Sequence, residues 1–175
     1  YEMIAEGMTD QTFQVSEDHT LVVRMKGTDV LNAKELELMN LSTGERSLVR
    51  AGENECVKPL GFMGIDLLYG IARKEDIREE ASGEVTYPMH IVQICNKFGT
   101  LLKSYTQDNH YIVGYELSGN MITLKRVIKG MNGDFVETTP DTIMNNQEQP
   151  IGKNQIETVV TENRKSLVQI AMRSE

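Results

Sequence analysis

The chain reads as an all-β protein: antiparallel hairpins gathered into about three to four four-stranded, propeller-like blades. Three observations carry this reading. Apolar and polar residues alternate with period two in short blocks, the blocks close on clusters of Gly, Asn, Asp and Ser, and hairpins of one kind return at an interval near 50 residues.

Taken in order, Thr12 to Val15 and Leu21 to Met25 flank the polar turn Ser16-Glu17-Asp18-His19, with Phe13 and Val15, then Leu21, Val23 and Met25, on one face. Leu36 and Leu38, then Leu48, alternate with charged residues around Asn40-Leu41-Ser42-Thr43-Gly44, whose Asn, Ser and Gly supply turn chemistry. Pro59 to Phe62 and Asp66 to Ala72 flank Met63-Gly64-Ile65, and Ile91 to Cys95 and Leu101 to Tyr105 flank Asn96-Lys97-Phe98-Gly99. Tyr111 to Leu117 and Met121 to Ile128 flank Ser118-Gly119-Asn120, and Ile156 to Val160 and Leu167 to Met172 flank Glu162-Asn163-Arg164-Lys165. Helix is confined to a turn or two within Val30 to Leu38 or Arg73 to Ala81. The second of these is a charge cluster, read as a solvated excursion between strands or, in the alternative, a docking surface.

Turns near Asp18, Gly64, Gly119 and Asn163 give steps of 46, 55 and 44 residues, close to propeller repeats of roughly 40–50. The turn at Asn40 to Gly44 recurs at Asn96 to Gly99, and Val15 to Val23 resembles Val160 to Gln169. The whole of 1–175 is therefore expected to be one propeller-like domain or a fragment of one, with units over 10–55, 56–108, 109–150 and a partial 151–175. Closed propellers use typically 4–8 blades, so the ring is either unusually small or incomplete. An incomplete ring exposes sheet edges and faces, and self-association into a homodimer is expected through them.

The run Lys58-Pro59-Leu60-Gly61-Phe62-Met63-Gly64-Ile65-Asp66-Leu67-Leu68-Tyr69-Gly70, continued by Ile71 to Ile77, by Tyr87 to Ile94 and by Asn96 to Gly99, resembles a propeller blade. It is similar to the non-catalytic N-terminal propellers of the dipeptidyl peptidase IV type and to TolB-like domains. Together with Asp141-Thr142-Ile143-Met144-Asn145-Asn146 it resembles an uncharacterised group of bacterial proteins in which such a propeller follows a membrane anchor. The resemblance implies a cell-envelope, extracytoplasmic setting. In the peptidases the propeller stands as a gate beside a separate hydrolase domain.

The chemistry points away from catalysis. With 18 Lys+Arg against 26 Asp+Glu the net charge is -8, which disfavours a nucleic-acid reader. The longest apolar run, Leu60 to Ala72, is broken by Asp66 and is too short to cross a bilayer. Cys56 and Cys95 are read as small buried hydrophobes on strands or, failing that, as one bridge. No Gly-x-Ser-x-Gly elbow occurs, and His19, His90 and His110 lack the spacing that puts two ligands on one face. Asp108-Asn109-His110 and Asn132-Gly133-Asp134 fit turns better than calcium loops, and Gly61-Phe62-Met63-Gly64 lacks phosphate-cradle spacing. Gly70, inside a strand, marks a close backbone approach or a bulge. The tyrosines, Tyr69, Tyr87, Tyr105, Tyr111 and Tyr115, alternate as packing residues.

The resulting expectation is a non-catalytic protein-interaction or scaffold module of an envelope-associated protein, with no metal or cofactor and no membrane insertion of its own. Its candidate interaction loops carry Glu79, Glu80, Asp108 and His110. The alternatives are an accessory propeller of a larger hydrolase and a small-molecule sensor.

Overall fold

The computed structural model describes residues 12–26, 31–79, 83 and 85–145, together with the strands 154–160 and 166–172. The chain divides into two units, Tyr1–Asn145 and Asn146–Glu175.

The first unit opens with β1 (Phe13–Val15), β2 (Leu21–Met25), β3 (Glu35–Asn40) and β4 (Arg46–Arg50), an antiparallel meander in chain order. Leu21, Val23, Met25, Leu36, Leu38 and Val49 are buried from this sheet, but Leu48 and Val15, expected on the same face, are exposed: the register sets Val49 rather than Leu48 opposite Leu36, and Gln14 rather than Phe13 or Val15 opposite Val23. Asp18 Oδ1 takes the Ser16 hydroxyl at 2.6 Å and the Thr20 N–H at 3.1 Å, which closes the first turn. In the second, Asn40 Oδ1 accepts the N–H groups of Ser42 and Thr43 at 2.9 and 3.0 Å.

Then come β5 (Glu55–Met63), β6 (Asp66–Arg73), a 3-10 turn at Lys74–Asp76, and the short ribbon of β7 (Arg78–Glu79) and β8 (Val85–Thr86). β9 (Met89–Cys95), β10 (Leu101–Tyr105), β11 (His110–Ser118), β12 (Met121–Lys129), β13 (Phe135–Glu137) and β14 (Asp141–Met144) follow. All but the ribbon join one sheet in the order β13-β12-β11-β9-β6-β5, with β10 on β9 and β14 on β12. The five hairpins expected in this unit are present, and among the described residues the helical readings reduce to one 3-10 turn.

Four bulges bend this sheet into a curled half-barrel. The register shifts leave Leu60, His90, Leu102 and Val113 as extra residues in β5, β9, β10 and β11. The carbonyl of the extra Leu60 accepts the Tyr115 hydroxyl at 2.5 Å, which ties β11 across to β5. β6 lies at the centre and is buried on both faces. Leu68 and Ala72 pack with Leu60, Met89, Ile94, Ile112, Ile122 and Leu124 inside the half-barrel, while Leu67, Tyr69 and Ile71 pack with Leu21, Val23, Leu36 and Leu38 of the meander. The run Leu60 to Ala72 is thus the centre of the fold, apolar because both of its sides are covered.

Sheet order departs from the blade expectation. The meander occupies the 10–55 interval alone, but strands of 56–108 and 109–150 share one sheet, joined where Ile112 pairs with Met89. What recurs between Asn40 and Asn96 is turn chemistry: Asn96 Oδ1 accepts the N–H groups of Phe98 and Thr100, both at 3.0 Å, and Gly44 and Gly99 sit at φ +73° and +78°. An Asn-initiated turn recurs wherever a hairpin needs one, without a blade around it. A propeller identity is not established by this order.

The cysteines are buried thiols with no disulfide, Cys56 packed inside the half-barrel and Cys95 between the two sheets. Sitting on opposite faces of the sheet with β6 between their strands, they cannot bridge. Among the described residues no helix is long and apolar enough to cross a membrane. The second unit contains one antiparallel hairpin, β15 (Asn154–Val160) and β16 (Ser166–Met172), registered through Ile156↔Ile170.

Candidate functional site

Where β5 begins and β6 ends, the chain leaves an open cleft of about 700 Å³, lined by Gly52, Glu53, Asn54, Glu55, Arg73, Lys74 and Glu75. Its walls are held by backbone contacts. The Lys74 N–H donates to the Asn54 carbonyl at 3.0 Å, and Lys34 Nζ donates to the Glu53 carbonyl at 2.7 Å. Lys74 Nζ reaches Asn32 Oδ1 at 3.1 Å.

Glu55 and Arg73 face each other in the β5–β6 ladder, a position that normally favours an ion pair. The Glu55 carboxylate turns elsewhere: Oε2 accepts the Gly52 N–H at 2.9 Å, and Oε1 lies 2.9 Å from His90 Nε2. His90 reaches it because the β9 bulge re-aims this one extra residue. Burial holds the His90 imidazole below its ordinary pKa, the Arg73 charge lowers it further, and Glu55 opposes both. Nδ1 is buried with no hydrogen-bond partner, so the neutral ring donates from Nε2 to Glu55. No serine, threonine or cysteine side chain bonds this ring among the described residues, and the pair acts as a brace for the cleft floor.

Arg73 donates to the Tyr111 hydroxyl at 3.3 Å and has no carboxylate partner among the described residues. Asp76, 1% exposed, instead binds Lys129 Nζ at 2.5 Å. The Asp76 carboxylate beside it raises the Lys129 pKa. Arg78 donates to the Gly133 carbonyl at 3.1 Å and lies over the Phe135 ring, which itself meets Tyr111 edge-on at 5.2 Å. The charged stretch after β6 is therefore pinned to β12 and β13. Arg73, Lys74, Glu75, Arg78 and Glu79 remain exposed as the solvated reading expects, but Asp76 is its buried anchor.

The expected interaction residues do not converge on this cleft. Glu79 is exposed on β7, paired with Val85, and Glu80 lies outside the described residues. Asp108 is exposed in the turn after β10, and its carbonyl lies 2.8 Å from His110 Nδ1 at the start of β11. Beside that turn, Arg126 gathers Tyr105, Gln107 and Asp141 at 3.0, 2.6 and 3.1 Å, a network with its polar groups satisfied. Bonds from the Tyr105 hydroxyl and the Thr142 N–H hold the Asp141 carboxyl below its usual range. Among the described residues, no group of three or more His, Cys, Asp or Glu is placed to hold a metal ion.

A second surface lies where the Asn40 and Asn96 turns adjoin. Phe98 is 63% exposed, flanked by Asn40, Glu45, Arg46, Ser47 and Lys97 in a groove of about 250 Å³. Leu101 and Leu102 at the β10 bulge are exposed beyond it.

No protein-family model matches the chain, and no curated protein matches it. Among solved structures it is similar to a crystal structure of a "putative conserved lipoprotein" from Clostridium novyi NT, with a TM-score of 0.53 and 15% identity over 81% of this chain and 90% of that one. Likeness at that identity shows the fold, and the fold is all-β, with antiparallel sheets that include the four-stranded meander and the curled half-barrel.

Proposed function

We propose that the chain is a non-catalytic binding module of an envelope-associated protein, and that the cleft between Gly52–Glu55 and Arg73–Glu75 is where it holds its partner. The observation that carries this is the arrangement of charge in the cleft. Its acid–base pair, Glu55 and His90, is engaged in bracing the floor, while Arg73, which has no carboxylate partner among the described residues, lines the cleft. The similarity to the clostridial lipoprotein supports the envelope setting. A concavity of this size, set where the β4–β5 loop and the 3-10 turn meet the ends of β5 and β6, suits a small molecule or the end of a peptide.

NMR of the isotopically labelled chain, titrated with the soluble envelope fraction of its parent cell, tests this reading. Shifts concentrated on Gly52–Glu55 and Arg73–Glu75 are expected. Shifts confined to the Asp108–His110 turn, or none, would sink it.

The exposed Phe98 and the leucines at the β10 bulge favour a second reading, in which a protein partner docks at the paired turns. Phe98→Asp is then expected to abolish capture of that partner while Glu79→Ala leaves it intact.

A further inference from the structure

We infer that the cleft binds a small zwitterion, a molecule carrying one carboxylate and one ammonium group, with Arg73 as the receptor for the carboxylate. The inference rests on the cleft reading above and names its ligand. Four charged side chains of both signs, Glu53, Arg73, Lys74 and Glu75, line one concavity without pairing with one another. Arg73 is the most telling. Glu55 stands opposite it in the ladder and Glu75 and Asp76 follow it in the 3-10 turn, yet Glu55 is held by Gly52 and His90, Asp76 by Lys129, and Glu75 forms no ion pair among the described residues. The guanidinium lines the cleft and, among the described residues, is held only by a 3.3 Å contact to a neutral phenol, which leaves most of its planar donor fork for a carboxylate to engage.

The ligand's second charge follows from the rim. Lys34 donates to the backbone carbonyl of Glu53, and among the described residues neither the Glu53 carboxylate nor that of Glu75, in the 3-10 turn beside Lys74, forms an ion pair. Two carboxylates at the mouth repel a dianion and attract an ammonium group, so the cleft discriminates a zwitterion from a phosphate or a dicarboxylate. An α-amino acid or the end of a short peptide has this charge layout.

The test is a titration of the whole chain, followed by NMR, with a panel of L-amino acids, glycylglycine, acetate, methylammonium, succinate and inorganic phosphate at matched ionic strength. At least one zwitterion is expected to saturate the shifts of Gly52–Glu55 and Arg73–Glu75, with acetate and methylammonium binding about tenfold or more weakly. Arg73→Gln is expected to weaken binding at least about tenfold, and Arg73→Lys, which keeps the charge and loses the fork, to recover only part of it. Glu75→Gln, an exposed change that leaves the fold untouched, is expected to narrow the preference for a zwitterion over acetate. Acetate, succinate or phosphate binding as tightly as the best zwitterion would overturn the ligand class, as would no saturable shift from any zwitterion at millimolar concentration. If the envelope fraction still shifts the cleft residues in that case, the binding module stands and only its ligand is wrong.

Discussion

At the scale of single residues, two positions carry the packing and charge arguments. Gly70, mid-strand in β6, gives up its side-chain space to Met89, whose Sδ would collide with any added Cβ. Gly70→Ala is expected to destabilise the protein by about 2–3 kcal/mol, because the buried Met89 side chain would have to be displaced within a close-packed interior. Gly119→Ala is a control: its turn has open space but a φ of +56°, so the cost is about 1 kcal/mol, from the backbone alone. Urea unfolding measures both, and equal losses would refute the packing account. His90 supplies the pH dependence. Its native pKa lies below its unfolded value of about 6.5, so the stability it contributes is present above that pH and is lost as pH falls through the lower native value. Asp18 and Asp141, whose carboxyls are also depressed by hydrogen bonds, act only below the ordinary carboxylate range near about 4. Unfolding followed from about pH 7 to about pH 5 is expected to show a slope that His90→Gln flattens; identical slopes would remove His90 from the account.

At the scale of elements, the hairpins were legible because each turn announces itself locally. Asn40 and Asn96 each cap two backbone N–H groups with one side-chain oxygen. Asn40→Ala and Asn96→Ala are therefore expected to cost similar amounts, about 1–2 kcal/mol each by thermal or urea unfolding, and a loss at only one of them would break the equivalence. The same locality explains what could not be read. Counted back from the Gly64-Ile65 turn, a regular ladder would set Arg73 opposite Cys56; the bulge at Leu60 shifts the count by one and brings Glu55 there instead. Pro59 and Gly61, the latter at φ +142°, flank the bulge at Leu60 but do not say which way the register shifts, and no residue type marks the bulge that turns His90 toward Glu55, so the cleft was invisible while the hairpins around it were plain. Asp76 was hidden in a second way. Within Arg73 to Glu79 it looks like one more solvated charge, and only the distant Lys129 distinguishes it.

At the scale of the whole first unit, the order of strands decides what is protected. β6 has strands on both edges and cover on both faces, whereas β4 and β10 each have a ladder on one side only among the described residues. Amide hydrogen exchange is expected to be slowest in β6 and markedly faster along β10; protection of β10 equal to that of β6 would mean its outer edge is covered. The placement of the two thiols gives this layering a built-in readout. Burial and the nearby Asp66 charge push the Cys95 thiol up to about 12, so it reacts only when its surroundings open. Cys95 is sealed by the meander, while Cys56 packs inside the half-barrel with its thiol donating to the Leu31 carbonyl of the β2–β3 connection at 3.0 Å. A thiol reagent therefore keeps two clocks of unequal reach: lifting of the first sheet starts the one at Cys95 and loosens the one at Cys56, whereas labelling of Cys56 ahead of Cys95 in a single chain means that the half-barrel uncurled first.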